Sequence, residues 1–133
     1  DLFSKLGLMF RLSRSADGIE LKAFCDAVLA CCTIFDKALT GPLSFLGEIA
    51  KNDFRRNVET IQRNASKTGA LHVEQLLNTD CAWNESTQLK GGSASEAIVW
   101  LCRSLMFNMR MIRNVGVAVE NHAGSAGNDR EQM

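Results

Sequence analysis

The sequence predicts an all-α fold, and three observations carry that prediction. Apolar residues recur three or four positions apart through several long stretches, the period of a helix face. No stretch alternates apolar and polar residues in the manner of a half-buried strand. No internal repeat divides the chain, which excludes a solenoid. At 133 residues the chain has the length of one domain, and its 46% hydrophobic content is too rich for a disordered segment.

The elements follow in order. Leu2 to Leu12 forms a short amphipathic helix, read as packing on the core, with membrane contact as the other reading. Ser15-Ala16-Asp17-Gly18 signals a turn. A helix from about Ile19 to Leu39 carries the stripe Leu21, Phe24, Val28, Cys31 and Phe35, and Thr40-Gly41 ends it. The chain is organised around the next stretch, Gly41 to Asn64, with Pro42 in its first turn. Its stripe is Leu43, Leu46, Ala50, Phe54, Val58 and Ile61. Residues 65–70 read as a loop and 71–81 as a shorter helix, with His72 solvated in its first turn. Residues 83–92 are polar and glycine-ended. Ser93 or Ser95 then caps a last long helix, Glu96 answering Ser93 in a capping box. That helix runs to about Val119 and is apolar nearly all round, which predicts a central position. From Glu120 the composition is that of a loop.

Composition excludes several function classes. Fifteen basic residues balance fifteen acidic ones. No basic block interrupts the chain, so the electrostatic footprint of a nucleic-acid binder is missing. The cysteines (Cys25, Cys31, Cys32, Cys81, Cys102) show no C-x-x-C spacing, which argues against a zinc or redox site and for small buried hydrophobes in a reducing compartment. No run is long and apolar enough to cross a membrane. Asn84-Glu85-Ser86 matches a glycosylation sequon without a secretory signal, and is treated as coincidence. No nucleophile with its base, paired-carboxylate site, metal cluster or phosphate loop stands out, so neither an enzyme nor a cofactor is expected.

Two constellations remain. Asp53 and Asn57 are four apart, hence on one helix face. Together they offer several hydrogen-bond acceptors and two donors. Such a patch could grip a polyhydroxylated head group, or it could be an ordinary polar helix shoulder. Trp100, Arg103 and Phe107 likewise share a face. Trp100 could stack on a sugar ring or simply fill the core, and Arg103 could snorkel.

DFRRN (Asp53 to Asn57), followed at a characteristic interval by WLCRSL (Trp100 to Leu105), resembles the glycolipid transfer protein family. That family carries D-x-x-x-N on one helix and W-L-x-R-x-L on a later one. The lead-in FCDAVLACCTIFDKAL (Phe24 to Leu39) is similar to the family's F-x-x-A…F-D-x-L helix. The resemblance covers about residues 18–119. It implies one domain over 1–133 with a two-layer helical sandwich of the glycolipid transfer protein type, incomplete at its C-terminus. The chain, starting at Asp1, is read as cut from a longer one. The implied function is binding and intermembrane transfer of sphingolipids, with a glycosylceramide favoured, transient contact with membranes and a cytoplasmic location. Asp53, Asn57, Trp100 and Arg103 are the implied head-group residues, and the acyl chains would lie between helices 19–39 and 94–119. Thr60 stands where glycolipid-type members usually carry lysine, and His122 is not assigned to the family's amide-binding histidine. Ceramide-1-phosphate transfer is the nearest alternative. It is disfavoured because that branch has lysine at the Asn57 position and arginine at the Trp100 position. A helical interaction module without lipid transfer is the second alternative.

Overall fold

The computed structural model describes residues 2–80 and 91–131, with side chains described for 2, 4–80, 91–114 and 121. Cys81, residues 83–90 and the Asn84 sequon lie outside the described residues. The order is α1 (Leu2–Leu12), a hairpin of β1 (Arg14–Ser15) and β2 (Gly18–Ile19), α2 (Leu21–Ala30), α3 (Cys32–Ala38), a 3-10 turn (Gly41–Leu43), α4 (Ser44–Thr68), α5 (Val73–Thr79) and α6 (Ala94–Glu131). The all-α class stands.

α4 is the central helix, packed against α2, α3, α5 and α6. Of the predicted stripe, Ala50, Phe54, Val58 and Ile61 are buried and Leu46 partly so, whereas Leu43 lies in the 3-10 turn before the helix and is exposed. The Phe54 ring meets Phe35 of α3 at a centroid distance of 5.5 Å. Gly47 lets α4 approach α3 closely, since a Cβ there would already touch the Cβ atoms of Phe35 and Leu39. α1 lies on α2, with Leu6 buried and Phe10 edge-on to Phe24 at 6.0 Å.

Six expectations need correction. The 14–19 segment is a two-residue hairpin, too short to show alternation. It is tied down where Glu74 Oε2 accepts from Ile19 N at 2.9 Å. Gly18 there has φ 123°, and a Cβ at that position would collide with the Glu74 carboxylate. The helix expected over 19–39 is two helices. At Cys31 the backbone N–H donates to both Ala27 O and Val28 O, and Ile34 N then bonds Cys31 O, so the ladder tightens from four to three residues. α4 runs through the expected loop to Thr68. Thr68 Oγ1 donates to Asn64 O, Ala65 is buried, and Gly69 at φ 70° supplies the left-handed cap.

His72 is the residue before α5 and is partly buried, not solvated in a first turn. Gln75 Oε1 accepts from the backbone N–H groups of Leu71 and His72 there. Finally, α6 continues past Val119 to Glu131. No proline stops it, and each residue added to an existing helix gains a backbone hydrogen bond. Ser93 caps its N-terminus, Oγ accepting from Glu96 N at 3.2 Å, which is the serine half of the predicted box, and Asp80 Oδ2 accepts from Ser95 N at 2.7 Å. The all-round burial expected of α6 holds on one side only. Leu101 is fully buried, whereas Trp100, Met106 and Phe107 are exposed.

Candidate functional site

The site is built where α4 crosses α6. Ser104 Oγ donates to Asp53 Oδ2 at 2.7 Å, and Asn64 Nδ2 donates to Gly92 O at 3.3 Å. These two links make α4 and α6 antiparallel. Asn57 lies one turn along α4 from Asp53, and Trp100 lies one turn back along α6 from Ser104. The register therefore sets Asn57 level with Trp100.

Each predicted residue keeps some capacity for an outside partner. Asp53 is half-buried; among the described residues, its Oδ1 makes no hydrogen bond. Asn57 Nδ2 donates to Asp53 O at 3.0 Å, and its Oδ1 has no donor among the described residues. Trp100 is 53% exposed, so the core-packing reading of this indole fails. The Arg103 guanidinium lies over the indole, 5.4 Å from the ring centroid, a cation–π arrangement that orders both side chains. The structure thus gathers Asp53, Asn57, Trp100 and Arg103 along one helix crossing. Thr60, where a lysine would stand in glycolipid-type members, is occupied locally: its Oγ1 donates to Arg56 O.

An apolar cleft of about 360 Å³ is lined in part by the same α6. Leu105, Met106 and Met109 of α6 form one wall, and Cys31 and Ile34 form another. The expected pair of helices therefore does line an apolar space. Leu6, Gly7 and Phe10 of α1 close it, a wall the sequence reading did not assign. Burial pushes the Cys31 thiol up to about 11, so it lines the cleft as a neutral, apolar group. α6 thus contributes to both features, Trp100, Arg103 and Ser104 to the patch and Leu105, Met106 and Met109 to the cleft on another side of the helix.

The sequence reading did not single out Ser104 either, since its link to Asp53 appears only where α6 packs on α4. A second, larger cavity of about 770 Å³ is lined by Leu21, Cys25, Gln62, Ala65, Leu71 and His72 among others. It contains none of Asp53, Asn57, Trp100 or Arg103. Among the described residues no group of three His, Cys, Asp or Glu side chains could hold a metal, and no helix is long and apolar enough to cross a membrane.

The family model for Glycolipid transfer protein (GLTP) matches residues 19–128. No curated protein and no solved structure matches the chain.

Proposed function

Because the chain belongs to the glycolipid transfer protein family, we propose that it carries a glycosylated sphingolipid between membranes, with the head group on the Asp53–Trp100 patch and the hydrocarbon in the apolar cleft that α6 also lines. The family is one of lipid transfer proteins, not enzymes. The observation that carries the proposal is that α6 contributes both to a hydrogen-bonding patch, through Trp100, Arg103 and Ser104, and to an apolar cleft, through Leu105, Met106 and Met109, a pairing that suits an amphiphile.

The chemistry of each part follows from its side chains. The exposed indole offers a flat face to the apolar face of a sugar ring. The unoccupied Asp53 oxygen accepts from sugar hydroxyls or from the amide N–H of the sphingoid base. Such charge-assisted bonds are worth about 1.5–3 kcal/mol each. Asn57 adds an acceptor and its second amide hydrogen. The cleft takes methylenes out of water at about 0.8 kcal/mol apiece. Affinity thus comes mainly from the hydrocarbon and selection from the patch.

A phosphate head group fits this patch less well, because it would meet the Asp53 carboxylate and find Arg103 already committed to the indole. Contact with the bilayer is transient in this proposal, and the exposed Trp100, Met106 and Phe107 flank the site where a lipid would leave the membrane. A reducing, cytoplasmic setting accords with Cys25, Cys31, Cys32 and Cys102, all free thiols.

Transfer between vesicles tests the proposal. Donor vesicles carrying fluorescent glucosylceramide or ceramide-1-phosphate are mixed with acceptors and the purified chain. Faster transfer of glucosylceramide is expected. Preferential transfer of ceramide-1-phosphate, or no transfer by a chain with a full helical signal, would overturn it.

A further inference from the structure

We propose that Ser104 is a specificity-determining residue of this site, acting by fixing the Asp53 carboxylate so that Oδ1 alone is presented to the head group. The inference rests on the glycosphingolipid reading above. Its basis is geometric. Asp53 stands on α4 and Ser104 on α6, so their 2.7 Å bond joins the two helices at the site itself. Both side chains are half-buried, where such a bond is weakened less by water than on an open surface.

The consequence is a one-sided acceptor. An ionised carboxylate accepts on both oxygens and, when free, rotates about χ2 over a broad range. With Oδ2 held by Ser104, the plane of the carboxylate is set and Oδ1 is left for an incoming donor. The serine hydroxyl spends its only hydrogen on Asp53. What it shows a ligand is lone pairs, so the pair together forms an acceptor surface. Such a surface suits hydroxyls and amide N–H groups and disfavours a phosphate, which needs donors. Asn57 restrains the same residue from the backbone side through its bond to Asp53 O. Asp53 is therefore held at both its side chain and its carbonyl before any lipid arrives, which lowers the ordering cost of binding.

A double-mutant cycle provides the test, with binding of glucosylceramide presented in phosphatidylcholine vesicles as the readout. Ser104→Ala should weaken binding about tenfold, the scale of one hydrogen bond to a charged group. Ser104→Thr keeps the hydroxyl and should restore most of the affinity. In an Asp53→Val background, Ser104→Ala should have no further effect, because the residue acts through Asp53. Alanine is the better helix former, so the helical signal should be retained. Wild-type binding with an unchanged Ser104→Ala variant would overturn the inference while leaving the glycosphingolipid reading intact. So would an equal loss in the Asp53→Val background, or a Ser104→Ala chain that no longer folds, which would make the hydroxyl a packing group. A folded wild-type chain that binds no sugar lipid would overturn both.

Discussion

α4 carries two charged residues two positions apart, and their surroundings differ in kind. Lys51 has a side chain only 9% exposed, and its ammonium bonds Asp36 Oδ1 and Glu48 Oε1, each at 2.6 Å. Those two hydrogen bonds raise its pKa above the ordinary lysine value. Its charge is answered within the protein and ties α4 to α3. Asp53 has one oxygen bonded to Ser104 and, among the described residues, none on the other, with a half-exposed indole on the neighbouring helix. A satisfied charge maintains a fold. A charge with spare capacity, held in a fixed orientation near an exposed indole, is suited to a ligand. The same helical period places both, so periodicity alone does not separate them.

The strongest way to sharpen that contrast is to remove the core packing next to both. Phe54 is fully buried against Phe35, and Phe54→Ala should cost about 3–5 kcal/mol in denaturant unfolding. Lipid binding should fail with it, through the fold. Trp100→Ala should do the reverse: an unfolding midpoint close to that of the wild type, with glucosylceramide affinity down about tenfold. If Trp100→Ala unfolds the chain instead, the indole belongs to the core and the contrast breaks. Lys51→Met should lower the thermal midpoint modestly, because both its carboxylate partners are exposed and can be solvated, and should leave vesicle transfer at the wild-type rate.

The smallest effect expected concerns the thiols. Burial pushes Cys25 and Cys31 up to about 11 from an ordinary value of 9.0. Because the folded pKa is the higher one, the contribution of the neutral thiols is whole below pH 9 and is lost as the pH rises toward about 11. Denaturant midpoints measured from pH 8 to 11 should be flat at first and then fall. Cys102, exposed on α6, should be the first described thiol to be alkylated.

How far the sequence disclosed this molecule depended on the kind of signal. The α4 seam was legible because Ala50, Phe54, Val58 and Ile61 repeat at the helical period, and nothing in the tertiary structure opposes it. Asp53, Asn57, Trp100 and Arg103 stood out by their order and interval, and the structure brings them to one helix crossing. Ser104 was not, because a serine in a helix has no motif of its own and its meaning lies in a partner on another helix. The break at Cys31 was invisible for a similar reason. A shift from four-residue to three-residue bonding leaves the apolar pattern almost unchanged, and α1 supplies a cleft wall only through tertiary packing. Residues 65–70 and 120–131 misled in the other direction. Their Ser, Thr, Asn and Gly content suggests loops, but in the first stretch Thr68 and the buried Ala65 carry the helix on to Gly69.

The most direct test of the central claim is equilibrium binding of glucosylceramide to the wild-type chain and to Asp53→Val, followed by tryptophan fluorescence, with circular dichroism on both. We expect the same helical signal from the two chains and a loss of affinity of about tenfold to a hundredfold in the variant, the scale of one or two charge-assisted hydrogen bonds. Equal affinity in two equally folded chains would contradict the account and return Asp53 to the status of a helix-surface charge.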